Sequence, residues 1–196
     1  MNIQNKYSRV IIALHWISAA LILLAVCFVL GRELTESRSL RHTLIDFHRQ
    51  CGLLILLFVL PRLGARLITA APAAEKGIPH ILQWVAKLTH LAIYGFMVAL
   101  PILGWAISGA KGQAIKLLAF VSLPSFVSVD PDLADTLEQW HGTLAWVFLS
   151  LLALHAGAAL WHHFILKDST LQKMLPFAKQ NPAQKELVPA HSTGEN

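Results

Sequence analysis

Charged residues are scarce in this sequence: they make up 14% of its 196 residues, whereas hydrophobic residues make up 55%. A typical soluble domain carries about 25% charged residues, so this composition argues against an ordinary soluble fold. Several apolar stretches reach the length of about 20 residues that a helix needs to cross a bilayer. The sequence therefore predicts an integral membrane protein in contact with lipid.

Cysteine is also scarce, with two residues in the whole chain. Cys27 and Cys51 lie within or beside apolar stretches, and two such thiols make neither a disulfide framework nor a metal site. We expect both to be small buried side chains. The net charge of +5 reflects basic residues at the ends of apolar stretches, where membrane orientation explains them. We therefore predict no nucleic-acid partner.

Four apolar stretches are predicted to cross the membrane as α-helices. The first begins like a signal peptide, with Lys6 and Arg9 before its apolar run. That run, from Val10 to Leu30, is longer than a signal-peptide core and no small-residue cleavage site follows it, so we expect the segment to be retained. The predicted domain covers residues 1–176, with spans at about 8–30, 43–67, 83–107 and 140–165.

Polar connections complete the predicted organisation. The third link, from Ser108 to Glu138, has an apolar middle that Pro124 interrupts, and we expect it to lie at the membrane surface. The polar tail from Asp168 onward is predicted to be loosely ordered, and disordered over residues 177–196. Lys and Arg are concentrated around the N-terminus, the second link and the tail, which predicts that both termini are cytoplasmic.

Two histidines on the fourth predicted helix are the first functional indication. His141 and His155 are 14 positions apart, and at about 100° per residue both rings leave the helix on nearly the same face, about 21 Å apart along its axis. The residues between them are almost all apolar, so this helix lies in lipid, where an imidazole without a role is costly. One ligand position near each membrane face is the arrangement that a pair of haems needs.

The other intramembrane histidines fall into the same two layers. His15, His90 and His155 belong to the inner half of the membrane, and His48 and His141 belong to the outer half. An outer haem held by His48 and His141 follows almost by elimination. The inner haem needs His155 and one partner. We favour His15, with His90 as the alternative ligand or as a residue that hydrogen-bonds a propionate or handles protons.

Haem suits two imidazoles per layer better than other metals do. Structural zinc needs four converging ligands, whereas haem iron already has four porphyrin nitrogens and needs only two more. Six-coordinate iron has no vacant position, which favours electron transfer over oxygen binding. A single histidine could instead hydrogen-bond between helices, but that explains paired depths poorly. A metal or proton transporter is a weaker alternative, because the spans lack carboxylates apart from Asp46.

Short motifs throughout the chain resemble the bacterial cytochrome b561 family. They are Asn-Lys-Tyr-Ser-Arg at Asn5 to Arg9 with Leu14-His15-Trp16, Phe47-His48 with Cys51-Gly52, the His90 segment with Ala99-Leu100-Pro101, Trp140-His141, Leu154-His155, and Trp161-His162-His163 with Lys167-Asp168. The resemblance implies an all-α, four-helix protein of the bacterial inner membrane with two b-type haems in its core. It also implies that His15 and His155 ligate the inner haem, and His48 and His141 the outer one.

The resemblance further implies an activity: oxidation of superoxide at the periplasmic face coupled to reduction of ubiquinone. Quinone reduction consumes protons, so a titratable group near the inner haem is expected. His162, His163 and Lys167, at the inner end of the fourth helix, are candidates for this group. The resemblance favours His163, and we take His163 and Lys167 as the candidate quinone-site residues. The simpler interpretation of the same residues is a basic helix end held at the membrane surface.

Four arginines near the outer face are candidates for a role in that reaction: Arg32, Arg38, Arg41 and Arg49. Their charge would raise the local concentration of anionic superoxide. Arg49 directly follows His48 and is also a candidate partner for a haem propionate. The main alternative function is a cytochrome subunit that anchors a partner dehydrogenase or hydrogenase and relays its electrons to quinone. Either function is compatible with a homo-oligomer.

Overall fold

The computed structural model describes residues 6–69, 72, 79–118 and 120–176, and most of these are helical. The elements are α1 (Arg9–Glu33), α2 (Arg38–Ile68), α3 (His80–Ala110), β1 (Ile115–Leu117), β2 (Val121–Leu123), α4 (Pro131–Phe164) and a 3-10 turn (Gln172–Met174). Each of the four α-helices is long and apolar enough to cross a membrane. The predicted all-α membrane fold is confirmed. Residues 177–196, predicted to be disordered, lie outside the described residues.

Side chains at the helix starts accept hydrogen bonds from backbone N–H groups that would otherwise be unpaired. Ser8 accepts from the N–H of Ile11 at 3.3 Å before α1, and Asp130 accepts from the N–H of Leu133 at 3.0 Å before α4. Pro131 is the first residue of α4, where its missing N–H costs nothing. Because of this cap, α4 begins at Pro131 rather than near residue 140. The apolar pattern alone placed its start too late.

The helices pack in chain order, α1 against α2, α2 against α3, and α3 against α4. The start of α1 and the end of α4 share one end of the bundle, which we call the terminal end. There the backbone N–H of Tyr7 donates to the carbonyl of Lys173 at 3.5 Å. The α1–α2 and α3–α4 links share the opposite end, the loop end. There Gln50 of α2 donates to the carbonyl of Lys116 at 2.8 Å and accepts from the N–H of Leu118 at 2.9 Å.

The protein core is a small apolar cluster in the middle of the bundle. Val59 of α2 and Met97 of α3 are each only 1% exposed, and Phe148 of α4 packs with them. Phe148 is seven residues from both His141 and His155, so the core lies midway between the two histidine layers.

The α3–α4 link is shorter and more structured than predicted, because α3 continues to Ala110. It holds an antiparallel hairpin in which Ile115 pairs with Leu123 and Leu117 pairs with Val121. Strands of this length are marginal on their own. The hydrogen bonds that join Gln50 to Lys116 and Leu118 therefore help to hold the hairpin. No local sequence pattern reveals such a long-range contact.

Residues 168–176 pack against the bundle, which corrects the prediction of a loose tail beginning at Asp168. The indole N–H of Trp16 on α1 donates to the carbonyl of Met174 at 2.8 Å. An indole N–H is usually paired when its ring packs against protein. This contact fastens the segment after α4 to the start of α1.

Gly109, near the end of α3, allows the α3–α4 link to pack closely. A Cβ at this position would collide with Ser125 Oγ and lie 2.9 Å from Val127 Cγ2. We expect Gly109→Ala to displace the link and to destabilise the protein by about 1–3 kcal/mol, measured as a lower thermal transition in detergent. Gly95→Ala on the same helix is the matched control, because nothing lies within 4 Å of its Cβ. Equal stability of the two variants would show that the link does not pack on α3.

Candidate cofactor sites in the helix bundle

His48 of α2 and His141 of α4 face each other near the loop end, and we call them the loop-end pair. Their ring centroids are 6.1 Å apart, with the ring planes at 77°. His48 Nδ1 lies 2.9 Å from the carbonyl oxygen of Ala25 on α1. A carbonyl can only accept, so Nδ1 carries the proton and Nε2 keeps its lone pair for a ligand.

A cavity of about 380 Å³ adjoins the loop-end pair, within the range of about 300–1,000 Å³ that is usual for cofactor and ligand sites. Its lining is mostly apolar and includes both histidines of the pair. Three glycines, Gly52, Gly104 and Gly142, also line it. A Cβ on Gly52 or Gly142 would meet nothing within 4 Å, so these positions leave space beside the histidines. A flat apolar macrocycle fits such a setting.

Three histidines lie together near the terminal end, and we call them the terminal-end cluster: His15 of α1, His90 of α3 and His155 of α4. The ring centroids of His15 and His155 are 6.5 Å apart, whereas those of His90 and His155 are 5.2 Å apart. His90 Nδ1 is 2.6 Å from the carbonyl oxygen of Ala86, one turn earlier on its own helix.

The distance between two histidine ring centroids indicates whether both rings could bind one iron. An imidazole nitrogen lies about 2 Å from a metal and about 1 Å from its own ring centre, so two trans imidazoles have centroids about 6 Å apart. His48 with His141, and His15 with His155, match this separation. His90 lies too close to His155 for an iron between them. Within the described ranges, no group of three His, Cys, Asp or Glu side chains could hold a metal ion by itself. The paired histidines therefore suit a metal whose remaining ligands come from a macrocycle.

Arg62 of α2 reaches into the terminal-end cluster, which the sequence analysis did not anticipate. Its Nη2 donates to Nδ1 of His15 at 2.8 Å, and its guanidinium lies 5.2 Å from the ring centre of Tyr94. Arg62 follows His48 by 14 positions, the same interval that separates His141 from His155. An interval of 14 residues places two side chains on one helix face. This spacing from His48 could have identified Arg62 as an interior residue from the sequence.

Arg49, the candidate propionate partner, is engaged by neighbours at the loop end. It donates to Asp46 Oδ1 at 3.1 Å and also to the side-chain oxygen of Gln113. These contacts orient its guanidinium beside His48 and the mouth of the cavity, which Arg49 also lines. A propionate there would have to share or replace those partners.

The candidate quinone-site residues lie at the far terminal end, and they differ in their surroundings. His163 has a buried Nδ1 without a hydrogen-bond partner, while Lys167 is exposed and has a left-handed backbone (φ 53°). The neighbouring His162 is already committed, because its Nδ1 lies 2.5 Å from Asp168 Oδ2. Partial burial would raise the pKa of Asp168, but hydrogen bonds from His162 and Thr170 lower it overall. Asp168 therefore stays ionised and anchors His162, so His163 is the ring left available.

Four helices able to span a membrane, with facing histidine pairs, are typical of one class of protein, the b-type membrane cytochrome, which transfers electrons. The sequence matches the family described as prokaryotic cytochrome b561 over residues 6–177. The chain belongs to this family, and it is a multi-pass protein of the inner membrane. The predictions of the family, of electron transport and of b-type haem are confirmed by this membership.

Individual relatives are similar along nearly their whole length. A probable superoxide oxidase, CybB, of Yersinia pestis is 34% identical over 174 residues, which cover 88% of this chain and 97% of the relative. Cytochrome b561 homolog 2 of Escherichia coli is 30% identical, covering 89% of this chain and 93% of the relative. Cytochrome b561 homolog 1 of the same organism is also 30% identical, covering 90% of this chain and all of the relative.

Proposed function

We propose that this chain is a dihaem cytochrome that oxidises superoxide at the periplasmic face and reduces ubiquinone, acting as a superoxide:quinone oxidoreductase. The observation that carries the proposal is the presence of two facing histidine pairs in one bundle, with centroids 6.1 and 6.5 Å apart. One pair lies toward each end of the bundle, so electrons can cross the membrane between them. The similarity to a probable superoxide oxidase supports the choice of donor.

In this proposal His48 and His141 hold the outer haem, and His15 and His155 hold the inner haem. The loop end is periplasmic and the terminal end, with both chain termini, is cytoplasmic, as the distribution of Lys and Arg predicts. The ring centroids of His90 and His155 are only 5.2 Å apart, closer than two imidazoles that share one iron, which suits a supporting residue rather than a ligand. Each bound haem supplies an iron that gains and loses one electron.

The residues between the two sites keep them dry and separate. Val59, Met97 and Phe148 form the tightly packed part of the core, and they exclude water from the region between the histidine layers. Low polarity around a charge change strengthens the influence of every nearby fixed charge. The chain thereby controls the relative electron affinity of its two sites through a small number of polar side chains.

The loop end carries the basic residues proposed to attract superoxide, and the structure shows that they are not equivalent. Arg32 and Arg41 both lie within 4 Å of Glu33, at 3.8 and 3.9 Å, and Arg49 pairs with Asp46. Arg38 is exposed and forms no ion pair among the described residues. Its charge is therefore the least compensated of the four, which makes it the best probe of electrostatic attraction.

The quinone site is proposed at the terminal end, with His163 as the group that handles a proton and Lys167 beside it at the membrane surface. The buried, unpartnered Nδ1 of His163 supports this role, since a buried polar atom without a partner is unusual. A quinone oxygen would supply the missing partner. His162 does not serve here, because Asp168 already orients it.

A second candidate function, a cytochrome subunit that anchors a dehydrogenase or hydrogenase, is favoured by one feature of the α3–α4 link. Phe120 is 90% exposed and Val129 is 71% exposed, and apolar side chains displayed in this way are typical of contact surfaces. Quinone reduction by the purified chain with superoxide alone would favour the first function. Stable co-purification of a catalytic subunit would favour the second.

The haem assignment is tested by reduced-minus-oxidised visible spectra with haem quantitation. We expect two b-type haems per chain in the parent protein. His141→Ala should lose the outer haem and His155→Ala the inner one, because each substitution removes an axial ligand. His90→Ala is the matched control and should keep both. Loss of a haem from His90→Ala but not from His15→Ala would show that His90, not His15, pairs with His155.

Attraction of superoxide at the loop end is tested by the rate of quinone reduction at rising ionic strength. We expect the second-order rate constant to fall as salt screens the basic residues. Arg38→Glu should lower it by about two- to fivefold at low salt. Lys87→Glu, at the opposite end of the bundle, should leave it unchanged. A rate insensitive to both salt and Arg38→Glu would eliminate electrostatic attraction.

The role of His163 is tested by separating electron entry from electron exit. We expect His163→Ala to retain both haems and their reduction by superoxide, while quinone reduction falls by about 10-fold or more, as for loss of a general acid. His80→Ala, an exposed histidine at the start of α3, is the control. Unchanged quinone reduction in His163→Ala would favour the simpler interpretation of a basic helix end.

A further inference from the structure

Arg62 is a cation in the interior of a membrane-spanning bundle, and no carboxylate pairs with it in the described parts of the chain. The ion pairs found there join Arg32 and Arg41 to Glu33, Arg49 to Asp46, Lys111 to Glu138, and His162 to Asp168. A charge taken out of water is costly unless it is paired. Arg62 therefore needs a partner that the described residues do not supply.

The contacts that Arg62 does make are weak substitutes for an anion. Besides His15, they are the sulfur of Met97 at 3.9 Å and the neutral Tyr94, which contacts the guanidinium with its ring and accepts a side-chain hydrogen bond from it. A thioether is a weak acceptor. The Nε of Arg62 is buried and has no hydrogen-bond partner, so the guanidinium has an unused donor where the side chain is shielded from solvent.

Iron binding by His15 would increase this unsatisfied capacity. A histidine that binds a metal through Nε2 carries its proton on Nδ1 and donates it. A guanidinium has donors only, so Arg62 cannot keep its present bond to Nδ1 of His15 with that tautomer. Its Nη2 would then need a new acceptor together with the unpartnered Nε. A haem held by His15 and His155 would bring carboxylates of its own, as propionates, and Arg62 would be available to pair with one.

We propose that Arg62 is the electrostatic partner of the haem held by His15 and His155, and that its charge raises the reduction potential of that haem. The inference rests on the proposed function. Reduction transfers one electron from the donor, which is oxidised, to the inner ferric iron, which becomes ferrous, and the charge of the site falls by one unit. A fixed cation stabilises the more negative state. The sign is the same whether Arg62 pairs with a propionate or acts on the iron through space.

The proposal gives the two sites different electrostatic surroundings. At the loop-end pair, His48 meets a neutral carbonyl of Ala25, while at the terminal-end cluster His15 meets a guanidinium. Arg49 also lies beside His48, but Asp46 pairs with it, whereas no carboxylate pairs with Arg62 among the described residues. The difference favours electrons at the terminal end. By raising the reduction potential of the inner haem, Arg62 favours electron transfer from the periplasmic site toward the quinone site.

The test is a spectroelectrochemical titration of the purified holoprotein, following each haem separately. A His141→Ala background isolates the inner haem. We expect Arg62→Gln to lower the equilibrium constant for reduction of the inner haem by at least tenfold. This corresponds to a fall of at least 59 mV in its midpoint potential, because the couple transfers one electron. Arg62→Lys should stay within threefold of the parent, because it keeps the charge. Arg66→Gln, one turn further along α2, is the matched control and should also stay within threefold.

The outcomes separate this inference from the proposed function. A parent protein without two haems would defeat the proposed function. The inference alone would be overturned by the following result: the parent binds two haems, Arg62→Gln keeps the inner haem, and its equilibrium constant for reduction changes less than threefold. If Arg62→Gln loses the inner haem, retention by Arg62→Lys at the parental potential supports the role of the charge. Loss from both variants would show that shape, not charge, is required, and would overturn it.

Discussion

The structure depends on one constraint: histidines on different helices must face each other across the bundle interior at two depths. On α4 the interval of 14 residues between His141 and His155 meets this constraint with a single straight helix. The rings that face them lie on α1 and α2, with His90 of α3 also beside His155, so these helices must pack with a fixed rotation and height. The tight core around Met97 and Phe148 sets that height, because it lies between the two layers and touches both halves of the bundle.

The same constraint explains why so little of this bundle is buried by its own side chains. Helix α4 has 34 residues, yet Ala134 and Phe148 are its buried ones. Lipid covers the outer faces of such a helix, where apolar side chains need no protein partner. Toward the bundle interior, glycines such as Gly52 and Gly142 leave space beside the histidines. A large apolar cofactor held by the histidines would supply the remaining packing.

The sequence predicted well whatever depends on local periodicity. Four apolar stretches indicated the four helices, and the spacing and depth of the histidines indicated the facing pairs. Contacts between distant segments were not predictable in this way. The carbonyl of Ala25 that orients His48, the indole of Trp16 that holds Met174, and the amide of Gln50 that supports the hairpin all join different elements. The start of α4 could have been predicted from Asp130 as a helix cap followed by Pro131. The apolar pattern missed it because the first turns of α4 are polar.

Arg62 shows why a charge in such a bundle is informative. Bringing a guanidinium into a dry interior is costly, and a substitution to Leu or Met would avoid that cost while filling similar space. Its place on α2, one 14-residue interval from His48, sets it at the depth of the terminal-end cluster and on the interior face. Two similar histidine pairs alone would not give the two sites different electron affinities, so they would not favour electron transfer in one direction. Arg62 has no carboxylate partner among the described residues, whereas Arg49, beside the other pair, is paired with Asp46. This uncompensated cation supplies a direction, since it makes the two sites unequal toward an added electron.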